Sequence, residues 1–214
     1  MILKTLVVGA LRANCHVIGC EKTRRAIVID PGGDAELILK TLASLDLQCE
    51  LILDTHGHAD HIAANDEVRD ATAARILIHE SDAPMLVSAE KNLSVWSGHQ
   101  IELRVHDELV ADGSVIRVGE IGLCVIHTPG HTPGGICVRH ADALFSGDTL
   151  FLESIGRSDL PGGCTTTLLN SIKSKLLTLP PDTRVFPGHG APTTIGHERR
   201  NNPFVGGMQT DSDI

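Results

Sequence analysis

The segment Thr55-His56-Gly57-His58-Ala59-Asp60-His61 constrains this chain more than any other part of it, because it sets three imidazoles and a carboxylate within six residues. It follows the apolar run Leu51 to Asp54, which reads as a buried strand, and it precedes a helical stretch. Rings and a carboxylate packed together without a cation either repel or are buried at high cost, and a metal removes the conflict. His56 and His58, two positions apart at a strand end, can project to one side and chelate one metal. Asp60 and His61 face a second position about 3.5–4 Å away, the usual spacing of a two-metal site. Gly57 and Ala59 between them leave room for cations.

Three more residues stand in matching settings, each where an apolar strand runs into a glycine-rich turn. They are His131 in the run Thr128 to Gly135, Asp148 in Leu144 to Thr149, and His189 in Phe186 to Gly190. The glycine before each of them permits a tight turn that points the side chain into a common cavity at the strand ends. The remaining histidines, His16, His79, His99, His106, His127, His140 and His197, lack partners at ligand spacing and read as structural or solvated. His127 is close enough in sequence to support a ligand, and Asp30 and Asp54, at strand ends, are placed to orient ligand imidazoles.

A site of this kind needs a scaffold, and 214 residues with 42% hydrophobic content suffice for one domain with a sizeable core. Branched apolar runs predict strands over Leu3 to Gly9, Cys15 to Gly19 and Ala26 to Asp30. Asp34 is placed to cap a helix whose face carries Leu37, Ile38, Thr41, Leu42 and Leu45. A second set of strands is expected over Ser114 to Val118, Gly122 to Ile126, Ile136 to Val138 and Ala141 to Ser146. Thr165 can cap a helix that Pro180 and Pro181 stop, and a last strand ends at Phe186. Two sheets with helices outside is the architecture that fits this order, an α/β class.

Composition excludes several partners. A net charge of −9 with no basic stripe argues against nucleic acid. The absence of tyrosine, with four phenylalanines and one tryptophan, leaves little for stacking on bases. Arg12, Asn14 and His16 interrupt the apolar N-terminus, so the expectation is a first strand in a cytoplasmic protein, with no membrane association. The six cysteines form no Cys-x-x-Cys pair and are expected to be buried free thiols. Neither a Gly-x-Ser-x-Gly elbow nor a phosphate-binding Gly-Lys-Ser/Thr loop is present.

The order His-x-His-x-Asp-His, Pro-Gly-His, Gly-Asp and Gly-His-Gly resembles the metallo-β-lactamase superfamily over residues 1–205, with 206–214 expected as a disordered tail. The resemblance implies an αββα four-layer sandwich of two mixed β-sheets and outer helices. It implies two divalent metal ions, zinc first and iron or manganese as alternatives. His56, His58 and His131 would hold one, Asp60, His61 and His189 the other, and Asp148 would bridge. Within the superfamily, the lactamases fit less well, having a cysteine in the second site where this chain has Asp148 and no counterpart of His61. Short forms of the glyoxalase II group are nearer, through Gly147 to Phe151, Ser154 to Gly163 and Thr193 to Phe204. That likeness implies a hydroxyacylglutathione hydrolase acting on a small-molecule thioester such as S-D-lactoylglutathione. Hydroxide held by the metals would attack the carbonyl, with Asp60 and Asp148 as catalytic carboxylates and Arg157 binding the thiol carrier. The alternative is a mononuclear iron persulfide dioxygenase acting on glutathione persulfide, which the segment Gly156 to Asp159 also resembles.

Overall fold

A computed structural model of the chain describes residues 1–98 and 100–207. His99 and positions 208–214 of the expected tail lie outside the described residues. Gly206 and Gly207, assigned to that tail from the sequence, donate their N–H groups to the carbonyls of Asn202 and Arg199. They therefore belong to the folded end of the chain.

The first sheet has six strands in sequence order, β1 Ile2–Val8, β2 Ala13–Gly19, β3 Arg25–Ile29, β4 Gln48–Leu53, β5 Arg75–His79 and β6 Glu108–Val110. Pairing is antiparallel from β1 to β3 and parallel from β3 to β6, so the sheet is mixed. The second sheet comprises β7 Val115–Val118, β8 Ile121–His127, β9 Ile136–His140, β10 Ala143–Gly147, β13 Arg184–Pro187 and β14 Thr193–Thr194. Its spatial order is β14-β13-β10-β9-β8-β7, with β10 and β13 parallel. A small hairpin, β11 Leu150–Phe151 and β12 Ser154–Ile155, lies between β10 and β13 in sequence.

The two-residue period of a strand explains the layering. In β3 and β4, Ile27, Ile29, Leu51 and Leu53 point inward against Val118, Leu123, Val125, Val138 and Phe145 of the second sheet. Their neighbours Ala26, Val28 and Ile52 face outward, onto Ile38 and Leu42 of helix α1 (Ala35–Ser44) and Val68 of helix α3 (Asn65–Thr72). On the far side Leu144 and Val185 pack under Leu168, Ile172, Leu176 and Ile195. Strands buried on both faces read as unbroken apolar runs, which is why Ala26 to Ile29 lacks alternation. The result is the four-layer arrangement of helices, sheet, sheet and helices.

Four local expectations are corrected. Asp34 occupies the N-cap of α1 in a left-handed conformation (φ 50) and makes no side-chain cap bond; its Oδ2 accepts the Gly9 N–H at 2.8 Å instead, tying the β1–β2 turn to the helix start. The buried stripe of α1 is Ala35, Ile38 and Leu42, whereas Leu37 is exposed, because the face turned to the sheet lies one position away from that residue. The helix α4 (Thr165–Ser171) takes Cys164 as its N-cap and widens into a π turn over Ile172–Leu176. All six cysteines are free, but Cys124 and Cys164 are exposed rather than buried. Among the described residues no helix is long and apolar enough to cross a membrane.

Phe145 is fully buried between the sheets, its ring 5.3 Å from that of Phe186 and 5.1 Å from that of His16. Phe145→Ala is expected to lower stability by about 3–5 kcal/mol, the usual cost of emptying an aromatic core position. Urea denaturation followed by circular dichroism would measure it, and a loss below about 1 kcal/mol would contradict this packing.

Candidate metal centre

The seven residues singled out from the sequence converge at one end of the sandwich, from four loops. His56 and His58 follow β4, Asp60 and His61 lie in the short helix α2 (Ala59–Ile62), His131 follows β8, Asp148 follows β10 and His189 follows β13. His56, His58 and His131 form one group whose ligand atoms lie within 4.8 Å of one another, and Asp60, His61 and His189 form a second. Asp148 stands between them. Its Oδ2 is 3.7 Å from His131 Nε2 and 3.7 Å from His189 Nε2, and its Oδ1 is 3.5 Å from His61 Nε2.

Glycine makes two of these approaches possible. Gly147 adopts φ 47 immediately before Asp148, with Thr55 packed where a side chain would begin. A Cβ on Gly188, before His189, would run into Asp148 and the His61 ring. The expectation of a glycine ahead of each turn ligand thus has two physical grounds, left-handed backbone at Gly147 and close approach at Gly188.

Hydrogen bonds fix which ring nitrogen faces the centre. The Thr55 hydroxyl donates to Asp30 Oδ2 at 2.7 Å and can accept from His56 Nδ1 at 3.1 Å, which turns His56 Nε2 inward. His61 Nδ1 donates to Asp30 Oδ2 at 3.0 Å, and His131 Nδ1 donates to the Arg157 carbonyl at 2.6 Å. Of the two aspartates expected to orient ligand imidazoles, Asp30 bonds the His61 ring, while Asp54 accepts from Asn65 Nδ2 at 2.8 Å and makes no hydrogen bond to these imidazoles among the described residues. His127, a further candidate for that role, bonds the Pro133 carbonyl and stacks on His79, away from the ligands.

The donor set fits divalent cations. His56 Nε2, His58 Nε2 and Asp148 Oδ1 are buried without a hydrogen-bond partner, and His58 Nδ1 lies 2.9 Å from His131 Nε2. Burial and the surrounding histidines hold His56 well below the usual imidazole range and bring His58 down to about 3, so both rings are neutral donors. At His61, burial favours the neutral ring, but Asp148, Asp30 and Asp60 outweigh it and raise the pKa to about 10. The carboxylates thus demand a positive charge at that point, and a divalent cation meets the demand as well as a proton does. Five imidazoles and two carboxylates in two groups sharing one aspartate would hold two such ions.

A residue not singled out from the sequence ties the centre together. Asp82 is completely buried, and it accepts from Gly57 N at 3.1 Å, Thr132 Oγ1 at 2.7 Å and Gly134 N at 2.6 Å. It therefore joins the His56–His58 loop to the His131 loop. Arg157, proposed as a substrate contact, lines the cavity over the centre, but its guanidinium pairs with Asp159 at 2.9–3.0 Å on the surface. The cavity measures about 1040 Å³ and is also lined by His58, Asp60, His131, Asp148 and His189.

Comparison with known proteins agrees with this geometry. Residues 8–189 match the metallo-beta-lactamase superfamily. The chain is 34% identical to the hydroxyacylglutathione hydrolase GloC of Haemophilus influenzae, over 96% of this chain and 98% of that one. Among solved structures, the BLEG-1 B3 metallo-beta-lactamase superposes with a TM-score of 0.91 at 38% identity, covering 95% of this chain and 99% of that one. TTHA1623, solved in a di-iron-bound form, gives a TM-score of 0.81 at 34% identity, covering 95% and 100%. The distance from the lactamases inferred from single ligand positions therefore does not extend to the chain as a whole.

Two substitutions test the supporting shell. Asp30→Asn is expected to weaken metal binding by about 10–100-fold while leaving the fold intact, as loss of such a partner does elsewhere; competition against a chromogenic chelator would measure it. Asp82→Ala leaves three donors facing a buried gap and is expected to destabilise the metal-free protein by about 3 kcal/mol in urea denaturation.

Proposed function

This chain belongs to the metallo-β-lactamase superfamily, and on that footing we propose that it is a two-metal thioester hydrolase of the glyoxalase II type. It cleaves S-D-lactoylglutathione, or a related S-acyl thiol, to the free thiol and a hydroxy acid. The observation that carries this reading is Asp148 placed between two histidine groups under an open cavity. The likeness to a hydroxyacylglutathione hydrolase over nearly the whole of both chains supports the choice of substrate class. Zinc is the proposed cation, with iron and manganese as alternatives for a nitrogen and oxygen donor set.

When bound, the cations supply Lewis acidity, polarising the thioester carbonyl and lowering the pKa of water towards about 7. The protein's own groups do the rest. Asp148 and the histidines hold the centre rigid, because His56, His61 and His131 are each pinned through Nδ1. Asp60 lines the cavity, with its side chain 20% exposed and its Oδ2 3.2 Å from His189 Nε2. Burial alone would raise its carboxyl, but His61 and His189 hold it well below the usual range, so it is ionised and able to orient the attacking water. The water oxygen adds to the carbonyl carbon as its proton passes by way of Asp60 to solvent, and the C–S bond breaks. Sulfur leaves with the electron pair as a thiolate, which needs little protonation. Arg157 is the proposed contact for a carboxylate of the thiol carrier, exchanging Asp159 for it.

The likeness to a B3 metallo-beta-lactamase supports a second carbonyl substrate, a β-lactam amide, for the same centre. The Gly156 to Asp159 segment keeps the persulfide dioxygenase reading as the other alternative.

With two metal ions per chain verified by elemental analysis, purified protein is expected to hydrolyse S-D-lactoylglutathione or another S-acyl thiol. Asp148→Ala is expected to lower turnover by at least about 100-fold, and a chelator to abolish it. Opening of a chromogenic cephalosporin with no thioester cleavage would favour the lactamase reading. One iron per chain with oxygen uptake on glutathione persulfide would replace hydrolysis altogether.

A further inference from the structure

The two most exposed large apolar side chains among the described residues, Leu11 at 67% and Trp96 at 66%, both line the cavity over the metal centre. They come from separate segments, the β1–β2 turn and a short helical turn over Ser94–Ser97. Half-buried Ile101, Phe151 and Ile155 continue the same apolar lining. Among the described residues, Arg157 is the cavity's single cation from lysine or arginine, and Asp159 already neutralises it. Apolar side chains left in water beside a catalytic centre are a standing cost that a ligand can relieve.

The Trp96 segment is also tied to the centre. Asn92, fully buried, donates through Nδ2 to the carbonyls of Met85 and Ile101 and accepts the Ser94 N–H at Oδ1. Its own carbonyl accepts from Ala59 N at 2.9 Å, one residue before Asp60. The apolar lining is therefore held in fixed relation to the attacking end of the site, as a preformed pocket requires.

We infer that the lining around Leu11 and Trp96 receives an extended apolar acyl arm, so the preferred substrates are thioesters of aliphatic or aromatic acids rather than the short, polar lactoyl ester. This rests on the thioester reading above. A ligand reaching this lining covers Trp96, the chain's one tryptophan, and the chain has no tyrosine, so intrinsic emission reports on this position alone.

The test uses metal-loaded protein and S-alkylglutathione thioethers, which bind but cannot be hydrolysed, from S-methyl to S-hexyl. Each added methylene is expected to tighten binding by roughly threefold to fourfold where it is fully covered, with a blue shift of Trp96 emission. In Trp96→Ala, whose exposed position spares the fold, calorimetry is expected to show most of that dependence lost. Affinity independent of chain length, or a dependence unchanged in Trp96→Ala, overturns the inference. The proposed reaction is judged separately: chain-length-dependent binding with no cleavage of the matching thioesters refutes the hydrolase and leaves the apolar pocket standing, whereas cleavage indifferent to acyl length does the reverse.

Discussion

A carboxylate removed from water must be hydrogen-bonded or paired, and Asp30, 1% exposed, meets that demand in a way on which the centre depends. It stands at the end of β3 in a left-handed conformation (φ 53). From there it accepts from the Thr55 N–H and hydroxyl at 2.7 Å and from His61 Nδ1 at 3.0 Å. One buried anion thereby sets the conformation of the loop after β4, the tautomer of His61 and, through Thr55, the orientation of His56. The ligand loop is shaped by the sheet's parallel neighbour before any cation is considered.

Asp82 acts similarly across the two halves of the chain. Its three donors come from the turn after β4 and the turn after β8, one in each sheet's territory. Burial pushes its carboxyl upward even though these donors favour the anion. Such a bridge rewards only one relative placement of the two sheets, so it supports the geometry that brings His131 to 2.9 Å from His58.

These two aspartates also mark where sequence reasoning reaches and where it stops. The seven convergent residues were legible because their types recur at strand ends with glycine at the turns, a local signal. Leu51 to Leu53 and Ala26 to Ile29 were legible as strands because burial on both faces leaves continuous apolar runs. Asp82 was not legible, since its partners are 25, 50 and 52 residues away in the chain and only the packed fold assembles them. Asp30 and Asp54 looked equivalent at their strand ends, yet only Asp30 meets ligand rings while Asp54 is taken by Asn65. Strands β5 and β6 and the helix α3 before them were not read separately. Their pattern is short, and β6, at the sheet edge, leaves Leu109 exposed.

The division of the seven candidate ligands between the sheets would tie cation binding to folding. His56, His58, Asp60 and His61 follow β4 of the first sheet, while His131, Asp148 and His189 follow β8, β10 and β13 of the second. The groups His56, His58, His131 and Asp60, His61, His189 each draw on both sheets and are complete only once the sandwich has closed, whereas Asp30, His56 and His61 cluster from the first sheet alone. In the unfolded chain only the His56 to His61 segment keeps several donors together, so cations held by these residues would bind the native state far more tightly than the denatured one. By mass action that difference adds to the stability of the closed sandwich. Before a cation arrives, the fold must hold these donors together by other means, and the buried hydrogen bonds of Asp30 and Asp82 supply them.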